Sequence, residues 1–205
     1  MNLEANNNHA TAADQFAIVA IASSAGGLQA LNMVIGKLPA GFPVPVLVVQ
    51  HLDPRHETVI ADILARRTEL SVKLAEQGEV AKPAVVYIAP PDRHLLVEED
   101  GRLALTVSEL VHFVRPSADL LFESVAGSYG PKAIACVLTG SGSDGAMGVG
   151  AVKARGGTVI VQDPANAEFS GMPEAAVATG EVDFVLGLDE IAPVIIGLVN
   201  AGRHE

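Results

Sequence analysis

Short apolar runs alternating with segments of helical periodicity predict an α/β fold. The expected architecture is a doubly wound, mostly parallel sheet with helices on both faces and one antiparallel β-hairpin. Three observations carry this expectation. The runs AIVAI (17–21), VPVLVVQ (44–50), AVVYIA (84–89), AIACVLT (133–139) and TVIVQ (158–162) read as strands buried on both faces. Between them, apolar residues recur at i, i+3 and i+4. Hydrophobic residues make up 49% of the chain and aromatics only 4%, so the core is built from Ala, Val, Ile and Leu, which suits parallel strands under helices.

The elements follow in order. AIVAI is the first strand, and the helix after it carries Leu28, Leu31, Ile35 and Leu38 on one face before Pro39 stops it. VPVLVVQ is the second strand. A helix is expected within 55–68, with Val59, Ile60, Ile63 and Leu64 on its apolar face. SVKLA (71–75) and AVVYIA are further strands. HLLVEEDGRLALTV has two alternating runs around Asp100-Gly101, the signal of a hairpin with a type I′ turn. Ser117 opens a helix whose stripe is Leu120, Leu121 and Val125. AIACVLT, a glycine-rich turn, a helix to about Arg155, TVIVQ, a helix near 173–179, DFVLG and a helix from Asp189 complete the chain. Residues 1–15 are polar and read as a flexible tail, leaving 16–205 as one domain.

Composition narrows the function classes. The chain of 205 residues has a formal net charge of −11, and its 13 Lys and Arg form no basic block, which argues against nucleic acid and anionic lipid. No apolar stretch reaches the ~18 residues of a membrane span, and the N-terminus lacks a signal-peptide core, so a cytoplasmic location without membrane insertion is expected. Cys136 is the single cysteine and lies in an apolar run, which excludes an intrachain disulfide and reads as a buried structural thiol.

In open α/β sheets ligands bind beyond the carboxyl ends of the strands. Three such exits carry chemistry: Ser23 and Ser24 after AIVAI, His51 after VLVVQ, and Asp144 in GSGSDG. A hydroxyl, an imidazole and a carboxylate are what nucleophilic acyl transfer needs. The imidazole takes the serine proton, and the carboxylate sets its tautomer. Each also has a plainer reading, as a helix cap, a strand-end histidine or a turn residue. SSAGG and GSGSDG equally suit anion cradles, although neither has a Walker lysine or a full G-x-G-x-x-G. His51, Asp53 and His56 lie close in sequence, but Pro54 intervenes and no further ligand group is evident, so no metal is expected. Spacing does not choose between the two serines.

IASSAGG, VVQHLDP, YIAPPDRHL, RPSADLLF, LTGSGSDGAMG and SGMPEAA, in this order, resemble the catalytic domain of chemotaxis protein-glutamate methylesterases over about Phe16 to Val199. The resemblance implies a serine hydrolase that removes methyl esters from glutamates in the cytoplasmic region of chemoreceptors, with deamidation of receptor glutamines as a second activity and no cofactor. It puts the nucleophile on Ser24, the base on His51 and the orienting carboxylate on Asp144. Oxyanion amides would fall near Ala25 and Ser141, and Arg115 would lie at the cleft and bind the acidic receptor surface. Ala25 stands where the family usually has Thr, and Ser141 and Ser143 stand where it has Met and Asn. Backbone roles survive these changes, while side-chain contributions do not. Well-known members carry an N-terminal receiver domain, for which there is no room ahead of Ala17; a standalone catalytic domain is therefore expected, with any regulatory partner acting in trans. A non-catalytic homologue that binds receptors or a signalling partner is the competing reading.

Overall fold

The structure, a computed structural model, describes residues 16–51 and 58–201. It forms a seven-stranded sheet in the order β3-β4-β2-β1-β7-β8-β9, with a separate two-stranded sheet, β5-β6. The strands are β1 (Ile18–Ser23), β2 (Val46–Gln50), β3 (Ser71–Leu74), β4 (Val85–Ile88), β5 (His94–Val97), β6 (Leu103–Thr106), β7 (Ala133–Val137), β8 (Thr158–Gln162) and β9 (Phe184–Leu186). The helices are α1 (Gly27–Ile35), α2 (Ile60–Ala65), α3 (Ala118–Tyr129), α4 (Ala146–Ala154), α5 (Gly171–Ala178) and α6 (Leu188–Ala201). Every pairing in the large sheet is parallel, and β5-β6 is the antiparallel hairpin.

Side chains alternate between two cores. Ala20, Leu47, Tyr87 and Val137 pack under α3, α4 and α5, with Phe122 and Val149 facing them. Val19, Ile21, Val48 and Ile160 pack under α1, α2 and α6, against Leu31, Leu64 and Ile195. β1 is buried over its whole length because it has a neighbour on each edge and helices on each face. Truncating one of its large residues, such as Ile21, to Ala costs about 2–5 kcal/mol through lost transfer energy and the cavity left behind.

Local departures from the sequence reading have physical causes. The hairpin loop is not a two-residue type I′ turn, since only Gly101 has positive φ (81°). Glu98 N bonds Arg102 O (2.8 Å) and Gly101 N bonds Glu98 O (2.9 Å), the geometry of a three-residue loop ending in a left-handed glycine. Leu121, Phe122 and Val125 form the buried stripe of α3, and Leu120 is only partly covered. In α2 it is Ile60 and Leu64 that are buried, while Val59 stands outside the helix and is exposed.

The connectivity creates the site. From β1 the chain builds outward through β2, β4 and β3, then returns to β1's other edge with β7. The direction of winding reverses between β1 and β7, and such reversals open a crevice at the carboxyl edge of the sheet.

Candidate active site

Ser24, His51 and Asp144 come together at that crevice from three adjacent strands. Ser23 pairs with Gln50 in the β1–β2 register, so the next residues, Ser24 and His51, leave neighbouring strands side by side. His51 N donates to Ser23 O (3.1 Å), and Ser24 N donates to Thr139 O (3.0 Å) past the end of β7.

The imidazole and carboxylate are tightly organised. His51 Nε2 lies 2.8 Å from Asp144 Oδ2. Asp144 is 3% exposed, yet Ser117 Oγ (2.8 Å) and Asp119 N (3.1 Å) donate to its Oδ1 and Ala118 N (2.6 Å) to its Oδ2. These donors sit at the N-terminus of α3, where amides are free and the helix dipole favours negative charge. Burial pushes the Asp144 carboxyl up, but the bonds from His51, the two amides and Ser117 outweigh it and hold it below the ordinary carboxylate range. An ionised Asp144 only accepts, so His51 Nε2 carries the proton and Nδ1 holds the lone pair. Among the described residues, Nδ1 has no hydrogen-bond partner, and neither has Ser24 Oγ.

A buried layer sets the nucleophile turn. Ser23 Oγ donates to Gln50 Oε1 (2.7 Å), and Gln50 Nε2 donates to Ser24 O (2.8 Å) and His51 O (3.1 Å). Ser23, fully buried, thus braces the Gln50 amide that spans both exits. Gly27 allows α1 to descend onto this pair: a Cβ there would collide with Gln50 Oε1 and lie 2.8 Å from Ser23 Oγ. Gly140 likewise admits Ser24, whose Cβ would be 2.8 Å from an added methyl. The turn after β7 is locked by Gly140 N to Phe169 O (2.9 Å) and Met172 N to Gly140 O (2.8 Å). Thr139 Oγ1 ties the same segment to Ala25 O (3.1 Å). Inside these locked turns the amides of Ala25 and Ser141 have no acceptor among the described residues.

Arg115 is engaged within the fold. Its Nε and Nη2 donate to Asp92 Oδ1 (2.9 and 2.6 Å), and Nη1 donates to the carbonyls of Val107 (3.1 Å) and Ser108 (2.7 Å). It therefore cross-braces the turn at Asp92 and the loop ahead of α3. Of the metal-type cluster read from sequence, Asp53 and His56 lie outside the described residues. Cys136 is buried, and burial drives its thiol far up, away from the reactive thiolate.

Sequence reasoning missed several supporting residues. Gln50 and Thr139 end apolar runs and looked like strand termini. His94, fully buried in β5, accepts from Ser117 N at Nδ1 (3.1 Å), so its Nε2 donates to Glu109 O (3.1 Å). Burial, ahead of the charge of Arg115, pushes His94 below the usual histidine range and keeps it neutral. It fixes Ser117, which in turn fixes Asp144.

The CheB methylesterase family model matches residues 19–195. The chain belongs to this family. Among curated relatives, a putative protein-glutamate methylesterase/protein-glutamine glutaminase of Leptospira interrogans is 41% identical over 180 residues, covering 88% of this chain and 93% of its own. The protein-glutamate methylesterase/protein-glutamine glutaminase of Thermotoga maritima is 43% identical over 185 residues, but the chain spans only 54% of that relative's length. The crystal structure of the Thermotoga maritima CheB methylesterase catalytic domain superposes with a TM-score of 0.86 at 42% identity, covering 90% of this chain and 99% of that one. The CheB methylesterase fold therefore accounts for the large parallel sheet and the appended hairpin alike.

Proposed function

We propose that this chain is a serine hydrolase that removes methyl esters from glutamate side chains in the cytoplasmic region of chemoreceptors. The same chemistry on glutamine amides would release ammonia. The observation that carries this reading is the ionised, buried Asp144 on His51 Nε2, which leaves Nδ1 free to act as a base at the strand exit next to that of Ser24.

Ser24 Oγ attacks the ester carbonyl while His51 Nδ1 takes its proton. Negative charge develops on the former carbonyl oxygen, and the acceptor-less amides of Ala25 and Ser141 suit its stabilisation because they are already oriented. The tetrahedral species expels the methoxy group, which leaves as methanol with the proton held by His51. A glutamyl ester on Ser24 remains. Water, deprotonated by the same nitrogen, attacks it and releases the glutamate carboxylate and the serine. Arg115, held by Asp92 and the carbonyls of Val107 and Ser108, would help bind the acidic receptor surface near the cleft.

The reaction would take place in the cytoplasm, where those receptor helices lie. Among the described residues no helix is long and apolar enough to cross a membrane. The test is methanol release from receptor membranes carrying labelled methyl groups. Loss of release in Ser24→Ala with retention in Ser23→Ala is expected. Equal retention in both variants would sink the nucleophile assignment.

A further inference from the structure

Two carboxylates in this molecule cap each other's helices. Asp144, immediately before α4, accepts from the amides of Ala118 (2.6 Å) and Asp119 (3.1 Å) at the start of α3. Asp119, in the first turn of α3, sends Oδ1 back to the amides of Gly145 (2.9 Å) and Gly148 (2.8 Å) at the start of α4. Each helix N-terminus thus has its free amides satisfied by a side chain carried on the other segment. The two helices also touch closely, since a Cβ on Gly148 would lie 2.6 Å from Phe122 Cβ and 3.0 Å from Asp119 O.

The second oxygen of Asp119 is placed differently. Oδ2 is buried without a hydrogen bond among the described residues, and His112 Nε2 approaches it at 3.1 Å from the loop ahead of α3. The groups that bear on Asp119 electrostatically are Asp144 before α4, His112 on that loop and Glu123 one turn along α3. Burial, with Asp144 adding like charge, pushes the Asp119 carboxyl up. Keeping such a buried carboxylate costs stability.

We propose that Asp119 is a positioning residue for the hydrolysis: by clamping Gly145 and Gly148 it holds Asp144 against His51, and His112 closes the clamp from outside. The proposal rests on the esterase reading for its kinetic consequence but not for its geometry. Asp119 touches neither Ser24 nor His51. Its effect runs through the backbone of residues 145–148 to the carboxylate that sets the His51 tautomer. Asp119→Ala frees two amides and lets Asp144 drift, and displacements of this order cost about 10²-fold in rate. Asp119→Asn keeps an acceptor for both amides, and its NH2 can donate to His112 Nε2.

The experiment uses the full chain and two readouts. The first needs no substrate: the downfield proton NMR signal of His51 Nε2–H bonded to Asp144. It is expected to be lost in Asp119→Ala and kept in Asp119→Asn. The second is turnover of methyl-esterified receptor. Asp119→Ala is expected to lower kcat about 10- to 100-fold with KM unchanged. Asp119→Asn is expected to restore both. Asp119→Glu keeps the charge but moves the oxygens off the amides, and it gives the Ala readings should Asp119→Ala not fold. A retained signal and normal kcat in Asp119→Ala would overturn the proposal. So would a loss of activity matching the unfolded fraction, with the His51 signal kept in the folded fraction. Failure of the esterase reading is separate: it appears as no Ser24-dependent methanol from wild type, with the NMR comparison still deciding the role of Asp119.

Discussion

The two halves of the candidate site are built on opposite principles. On the base side every oxygen of Asp144 is satisfied by donors from α3 and from His51. On the nucleophile side Ser24 Oγ and the amides of Ala25 and Ser141 have no partner among the described residues, although the backbone around them is locked by Gln50, Thr139 and Met172. The difference follows from when charge is present. Asp144 is charged throughout and must be paired to be buried. In the proposed reaction an oxyanion would exist only in the transition state, so donors meant for it would be most effective when fixed and otherwise unused.

The largest test of this contrast is Ser24→Ala, expected to lower methanol release by about four or more orders of magnitude, leaving the fold and the Asp144–His51 pair intact. Asp144→Asn attacks the other half. It should lower kcat by about 10⁴-fold, as loss of the orienting carboxylate does elsewhere, and should also destabilise, because an NH2 would face the amides of α3. Gly140→Ala probes the locked turn. An added methyl 2.8 Å from Ser24 Cβ must push the serine or Met172 aside, and a loss of about 10²-fold in kcat is expected with little change in His51–Asp144.

Acidification distinguishes the halves by stability. The folded Asp144 carboxyl is lowered, so the stability it contributes is present above the ordinary Asp range of about 3.9 and is lost as pH falls through its folded value. His94 is lowered as well, but it is a base: the unfolded chain takes up the proton first, and stability declines once pH drops below about 6.5. Thermal melts from pH 7.5 downward should show the His94 step vanish in His94→Gln and the later one in Asp144→Asn. Asp119 has the opposite sign. Its raised carboxyl makes the folded state bind more protons than the unfolded chain, so Asp119→Asn should equal or slightly exceed wild-type stability at neutral pH. The smallest effect belongs to Ser23→Ala. It removes one buried hydrogen bond to Gln50, about 1 kcal/mol, and leaves turnover nearly unchanged.

Apolar periodicity alone reached the parallel sheet, its two helical layers and the hairpin, because burial on both faces imposes a pattern that local sequence must carry. Strand exits also pointed to the Ser23–Ser24 pair, His51 and Asp144, since the carboxyl edge of such a sheet is one line in space, and the resemblance to methylesterases singled out Ser24. What sequence could not show is which ring nitrogen of His51 meets Asp144, or that Arg115 is spent on Asp92 and two carbonyls. Nor did it reveal that Gln50, His94, Ser117 and Asp119 brace the site from three different segments. Those facts depend on hydrogen bonds between residues far apart in the chain, and no local period records them. The different surroundings of Ser23 and Ser24 show the division most plainly. Side by side in IASSAGG the two are chemically equal, but β1 ends by burying Ser23 against Gln50 and turning Ser24 into the crevice beside Gly140.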